Sequence, residues 1–178
     1  MLKNNRLKVF PLFGGVVLGI AIILGGGEIT HSSNSEIILG AKPVNAASDV
    51  AAMEKSVHNQ INQYRSSKGL SPLKFNTEIS KIAREHSQQM ADKQVPFGHS
   101  GSDSRYKKIS KLIKWRGVAE NVAYNQGYRD PGKSAVEGWI KSPGHQQNMV
   151  GKYEVTGIGV AKNSKGEYYF TQLFVSQR

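Results

Sequence analysis

The chain has 178 residues, of which 24 are basic, 13 are acidic and none is cysteine, and its formal net charge is +11 at pH 7. With 38% hydrophobic and 21% charged residues, the composition is that of a globular protein and excludes a disordered chain or a multi-span membrane protein. The lack of cysteine excludes disulfides and thiolate metal sites, and the length suits one domain with its own core.

The amino terminus predicts export. Three basic residues precede an uncharged, apolar stretch over residues 9–27, which is the order of a secretory signal. As a helix this stretch would rise about 28 Å, close to a bilayer core, so an uncleaved anchor is the alternative to cleavage near Ala46. We therefore interpret residues 1–46 as a signal peptide or membrane anchor with a linker. Either outcome places one domain, residues 47–178, outside the cell or in its envelope.

Four amphipathic helices are expected in the first two thirds of this domain, because apolar residues recur there at spacings of three and four. His86 lies on the apolar stripe of the second helix, and we interpret it as a core histidine that supports its surroundings. The predicted helices span residues 48–69, 76–92, 102–114 and 132–140.

The carboxyl-terminal part changes to a β pattern. Residues 155–161 and 167–175 are rich in β-branched and aromatic side chains and flank a turn sequence, so they predict a hairpin. The second strand is apolar on both sides, which implies that both faces of its sheet are covered. The sequence therefore predicts an α+β fold, a three-layer α/β/α sandwich around a mostly antiparallel central sheet.

Three polar residues at the edges of predicted elements are candidate site residues. His99 follows the second helix, Glu120 lies in Ala119-Glu120-Asn121, and His145 follows the fourth helix. Two imidazoles and a carboxylate can bind a divalent metal such as zinc or relay a proton, since the carboxylate fixes the tautomer of a histidine. Their separations of 21 and 25 residues carry no motif value, so a structural role for each stays open.

Short motifs cover nearly the whole predicted domain, from residue 51 to residue 176. In chain order they are Asn62-Gln63-Tyr64-Arg65, Gly69-Leu70-Ser71-Pro72-Leu73, Ala83 with His86-Ser87 and Met90-Ala91, Gly98-His99-Ser100, Ala119-Glu120-Asn121-Val122-Ala123, Trp139 through Ser142-Pro143-Gly144-His145, Asn148-Met149, Gly157-Ile158-Gly159-Val160 and Thr171-Gln172-Leu173-Phe174. In this order the chain resembles bacterial members of the CAP superfamily, named after cysteine-rich secretory proteins, antigen 5 and pathogenesis-related group-one proteins.

The resemblance implies an α/β/α sandwich with a central cleft lined by two histidines and two glutamates, which binds zinc or another divalent ion in some members. His99, Glu120 and His145 match three of these positions and are the metal ligands that the resemblance implies. The second glutamate, expected three residues after Trp139, is Ser142 in this chain. Ser142 thus lines the cleft with a hydroxyl, and the lost negative charge is expected to weaken metal binding.

The resemblance favours a non-enzymatic extracellular binding module whose cleft holds a lipid, glycan or peptide. The alternative is an extracellular hydrolase, a protease or envelope-processing enzyme, with a histidine as base, Glu120 as its orienter or as a metal ligand, and Ser142 or Ser100 as a possible nucleophile. No catalytic residue is assigned, because the chain has neither a His-Glu-x-x-His helix nor a Gly-x-Ser-x-Gly elbow. A purely structural role in the envelope is the third hypothesis.

A basic cluster follows the first candidate histidine. We interpret it as a solvated surface, with attraction to an anionic cell-envelope surface as the functional alternative. Nucleic acid is not an expected partner, because the chain is predicted to be exported and contains no recognisable nucleic-acid module. The oligomeric state is left open. The cluster comprises Arg105, Lys107, Lys108, Lys111, Lys114 and Arg116.

Overall fold

The structure is a computed structural model that describes residues 46–178, with side chains from residue 49 onward. The predicted signal peptide or anchor lies outside the described residues. No helix of the described part is long and apolar enough to cross a membrane. The elements are α1 (Ala46–Ser67), β1 (Lys74–Phe75), α2 (Thr77–Ala91), α3 (Ser102–Ser110), β2 (Trp115–Gln126), α4 (Pro131–Lys141), α5 (Pro143–Met149), β3 (Val155–Lys162) and β4 (Glu167–Gln177).

The strands form one sheet in the order β1-β3-β4-β2. The predicted hairpin is confirmed as β3 and β4, and β2 pairs antiparallel with the other side of β4. Only the two residues of β1 run parallel to their neighbour β3. The sheet is therefore mixed, and mostly antiparallel as predicted.

The two faces of the sheet carry separate cores. Phe170 and Phe174 of β4 pack under α1, α4 and α5, where Trp139 is buried with them. Leu173 and Val175 point to the opposite face and pack under α2 and α3. Alternate residues of one strand thus feed two apolar layers, which confirms the predicted three-layer sandwich.

Two glycines of β3 allow α2 to lie directly on the sheet. A Cβ at Gly157 would stand 2.5 Å from the backbone carbon of Ile79, and one at Gly159 would overlap the backbone nitrogen of Arg84. The Gly157-Ile158-Gly159 motif therefore serves close packing of a helix backbone on a strand.

The edge of β3 that extends beyond β1 is covered by side chains. The Ile158 amide donates to Ser80 Oγ at 3.0 Å, and the Val160 amide donates to Glu54 Oε1 at 3.1 Å. Arg84 also binds the buried Glu54 carboxylate, with contacts of 2.8 and 2.6 Å. This clamp joins α1, α2 and β3 through one carboxylate.

One helix bound needs correction, and three elements were not predicted. The third helix ends at Ser110, not at residue 114, because the chain turns there and enters β2 at Trp115. The elements that were not predicted are β1, β2 and the short helix α5. Other bounds hold closely: Asn76 caps α2 by accepting from the amides of Glu78 and Ile79, as its position before the helix predicts.

Candidate functional site

The site lies at the edge strand β2, where the loop between α2 and α3 meets it. Glu120 is in register with Leu173, so its side chain points to the face covered by α2 and α3. His99 comes from that loop, and its Nδ1 donates to Glu120 Oε1 at 2.8 Å. The structure therefore brings together two of the three predicted residues, although they are 21 positions apart.

Arg105 is a site residue that sequence reasoning missed. It donates from Nε to Glu120 Oε2 at 2.6 Å and from a terminal nitrogen to Oε1 at 2.7 Å, and it also binds the carbonyls of Ser100 and His99. The interpretation of Arg105 as part of a solvated face is wrong, since the residue is only 5% exposed. The rest of that cluster is exposed, as predicted.

The pKa of Glu120 decides the charge state of the site. Burial acts to raise it, but hydrogen bonds from His99 and Arg105 and the Arg105 charge outweigh burial, so the pKa is lowered from its ordinary value. Glu120 is therefore ionised at neutral pH and accepts the Nδ1 proton of His99. In neutral His99 the lone pair then lies on Nε2.

His145 forms a second oriented imidazole, on α5. Its Nδ1 shares a hydrogen bond of 2.9 Å with Ser142 Oγ, so Ser142 stands beside this histidine as Glu120 stands beside His99. The His145 carbonyl accepts from Asn121 of β2 at 3.1 Å, which ties α5 to the strand that carries Glu120. Burial, and to a lesser extent the nearby His99, lower the pKa of His145, so this imidazole is neutral at pH 7.

The arrangement therefore consists of two polar pairs, His99 with Glu120 and His145 with Ser142. No hydrogen bond joins the Nε2 atom of either histidine to another residue in the described part of the chain. The side chain of His99 is 52% exposed. Each imidazole is therefore held at Nδ1, and its Nε2 makes no hydrogen bond within the described residues.

The donor set does not fit a zinc site with three protein ligands. Within residues 49–178, no three His, Cys, Asp or Glu side chains are grouped so that they could hold a metal ion. Arg105 and His99 already bind both oxygens of Glu120. The position where the resemblance implies a second glutamate carries the Ser142 hydroxyl instead. Unless the ion pair between Glu120 and Arg105 breaks, only the imidazole nitrogens of His99 and His145 could bind a metal.

Two further residues differ in their relation to the site: His86 supports it, and the hydroxyl of Ser100 does not reach its histidines. His86 is 1% exposed, as predicted for a core histidine; its Nε2 donates to the Gly98 carbonyl at 2.8 Å and so anchors the loop before His99. Its Nδ1 has no partner among the described residues. The hydroxyl of Ser100, the second predicted nucleophile, makes no hydrogen bond to a histidine of the described part.

Comparison with known sequences supports one family. A family model described as the cysteine-rich secretory protein family, CAP, matches residues 58–174. The uncharacterized protein YkwD of Bacillus subtilis is 35% identical over 135 residues, covering 74% of this chain and 50% of that protein. The uncharacterized membrane protein YlbC of the same organism is 30% identical over 129 residues, covering 70% and 34%. The chain thus matches half or less of the length of these curated relatives.

Solved structures share the fold. An extracellular protein containing an SCP domain from Bacillus anthracis superposes with a TM-score of 0.63 at 21% identity, covering 77% of this chain and 45% of that one. An outer surface protein of Borrelia burgdorferi gives a TM-score of 0.60 at 18% identity, covering 73% and 96%.

Proposed function

Because the chain belongs to the cysteine-rich secretory protein family, we propose that its domain is a non-enzymatic binding module that works outside the cytoplasm. The cleft lined by His99, Glu120, Ser142 and His145 would hold a lipid, glycan or peptide through its polar groups. One observation carries the proposal: His99 Nδ1 lies 2.8 Å from Glu120 Oε1, His145 Nδ1 lies 2.9 Å from Ser142 Oγ, and neither Nε2 bonds to a described residue.

The rigidity of the first pair supports binding. Arg105 holds the Glu120 carboxylate with two short contacts and the loop carbonyls with two more, so His99 is oriented before any ligand arrives. Preorganised groups bind more tightly, because little conformational freedom is lost on association. Since Glu120 is already paired with Arg105, its role is to orient His99.

The setting outside the cytoplasm rests on the sequence and on the relatives. The basic stretch followed by the apolar residues 9–27 is typical of an export signal. The similar solved proteins are described as extracellular and as an outer surface protein. The exposed lysines of the basic cluster would then face anionic polymers of the cell envelope.

The second candidate function is a hydrolase, favoured by the hydrogen bond between Ser142 Oγ and His145 Nδ1. A neutral imidazole beside a serine hydroxyl is the pairing from which a nucleophile is made, and the lowered pKa keeps His145 neutral. Ser142 Oγ would attack a carbonyl carbon while its proton passes to His145 Nδ1, the imidazolium would return that proton to the departing group, and water would then release the acyl group from Ser142. We rank this below binding because no described group is placed as a further orienter of His145.

A panel of lipids, wall fragments and peptides separates the two functions. Saturable binding to the purified full chain that is lost in His99→Ala and His145→Ala, without release of product, supports the binding module. His58→Gln is the control, since His58 bonds the Leu73 carbonyl at 2.9 Å and is no part of the cleft. Turnover that disappears in Ser142→Ala would reverse the ranking. Absence of both binding and turnover would leave the structural hypothesis.

A further inference from the structure

Two aromatic rings stand exposed beside the cleft. Phe97 is 55% exposed and Tyr124 is 45% exposed, and their ring centroids lie 6.2 Å apart at an angle of 61°. Large apolar side chains in the described part are mostly buried, and these two are the exposed ones in mutual contact. We call Phe97 and Tyr124 the aromatic pair.

The Tyr124 ring and the loop that carries Phe97 are held in place. Tyr124 packs against Tyr169 at 5.1 Å, and its hydroxyl donates to Glu167 at 3.3 Å. Phe97 directly precedes Gly98, whose carbonyl is bound by the buried His86. Because the Tyr124 ring and the backbone next to Phe97 are already held, little freedom is lost when a ligand covers this surface.

The aromatic pair continues the cleft along one strand. Glu120 and Tyr124 are four residues apart on the same side of β2, which corresponds to about 13 Å. The same loop supplies Phe97 to the aromatic pair and His99 to the polar pair. A ligand longer than one small ring can therefore contact both the aromatic rings and the imidazoles.

We propose that the aromatic pair is a stacking subsite for an oligosaccharide of β-linked pyranoses with equatorial hydroxyls, an inference that rests on the binding module proposed above. Such a sugar presents axial C–H groups on its flat faces, and these pack on the electron-rich face of an aromatic ring. Its equatorial hydroxyls lie at the rim and can donate to or accept from the imidazole nitrogens of His99 and His145. An apolar face with a polar rim matches an aromatic surface that runs into a polar cleft.

Other ligand classes fit this surface less well. A peptide cannot add as a strand along β2, because Trp139 Nε1 donates to the Val122 carbonyl at 3.0 Å and Asn148 donates to the Glu120 carbonyl at 3.3 Å. Lipid chains need an enclosed apolar cavity. Two cavities of the described part, of about 750 and 280 Å³, do not include the aromatic pair.

The test is calorimetric titration of the purified full chain with two probes, the hexamers of β-1,4-linked N-acetylglucosamine and of β-1,4-linked glucose. Phe97→Leu and Tyr124→Leu keep apolar area but remove the ring face, so affinity should fall about fivefold to tenfold in each. Phe97→Trp should retain affinity. Leu112→Ala is the matched control, because Leu112 is 47% exposed but precedes the opposite end of β2 and should bind as the parent does.

The outcomes separate this inference from the function on which it rests. No saturable binding of either hexamer, or equal affinity in the leucine variants, overturns the subsite. If His99→Ala loses binding while the leucine variants do not, the cleft binds ligand and the stacking subsite is wrong. If the leucine variants lose binding while His99→Ala does not, the subsite stands and the role proposed for the cleft is wrong.

Discussion

Replacing Arg105 with alanine would leave the Glu120 carboxylate buried without its main counter-charge. The side chains are 6% and 1% exposed, so solvent cannot take the place of the guanidinium. Breaking a buried ion pair by removing one partner costs about 3–5 kcal/mol, and the remaining hydrogen bond from His99 favours the lower end. Against a total stability of about 5–15 kcal/mol this is a large fraction, equivalent to a fall in Tm of about 12 °C.

The pH dependence gives the same prediction a second readout. In the native protein the lowered pKa of Glu120 means that its stabilisation is complete above the unfolded pKa of about 4.3 and is lost as pH falls through the folded pKa. Without Arg105, burial dominates and the pKa of Glu120 should rise above that of the unfolded chain. The deficit of Arg105→Ala should then be greatest at neutral pH and shrink on acidification toward pH 4.3.

Urea unfolding followed by circular dichroism, repeated between pH 4 and pH 8, measures both quantities. The control is Lys108→Ala, because the Lys108–Glu85 pair is exposed, at 44% and 51%, and should contribute about 1 kcal/mol or less. A deficit in Arg105→Ala as small as that of the control, or one that does not change with pH, would refute a buried, charge-compensated Glu120.

Three further predictions address packing, protonation and metal. Gly159→Ala should lower the free energy of unfolding by about 3 kcal/mol or more, measured by thermal unfolding, because the added Cβ would overlap the α2 backbone. Gly138→Ala is the control: Gly138 is exposed in α4 with open space around it, so this change should raise the free energy of unfolding by about 0.5–1 kcal/mol. Equal effects of the two changes would contradict the close approach of α2 to β3. Burial lowers the pKa values of His86 and His145 in the folded protein. The contribution of these neutral histidines to the free energy of unfolding should therefore be fully present above about pH 6.5 and decline as pH falls toward the folded pKa values. A variant with glutamine at both positions should lack this decline in the same unfolding assay. Zinc titration of the full chain by calorimetry should give only weak binding that His145→Ala removes, and tight one-to-one binding would contradict the donor set described above.

The sequence predicts elements with regular apolar spacing and misses those built from buried polar residues. The β3–β4 hairpin and helices α1, α2 and α4 follow from such spacing. Strand β2 does not, because its buried side chains include Glu120, Asn121 and Asn125, which no apolar alternation indicates. Helix α5 is similar, since Met149 is its single buried residue.

The resemblance, and not the spacing along the chain, points to the candidate site residues. His99, Glu120, His145 and Ser142 lie in its motifs, and in the structure they form two hydrogen-bonded pairs. Arg105 carries no such signal, because its partner lies 15 residues away on a strand that was not predicted. A charged residue within a basic run is usually solvated, and only its fixed orientation toward a buried carboxylate identifies it.

The Glu54 clamp has a consequence for a chain that contains no cysteine. Small exported domains are commonly stabilised against unfolding by disulfides. Here the buried Glu54 carboxylate instead links helices α1 and α2 to strand β3 through hydrogen bonds. These hydrogen bonds form again each time the chain refolds, and they require no oxidant. Thiol reductants should therefore leave the fold intact, and slow amide exchange at Val160 should persist in their presence.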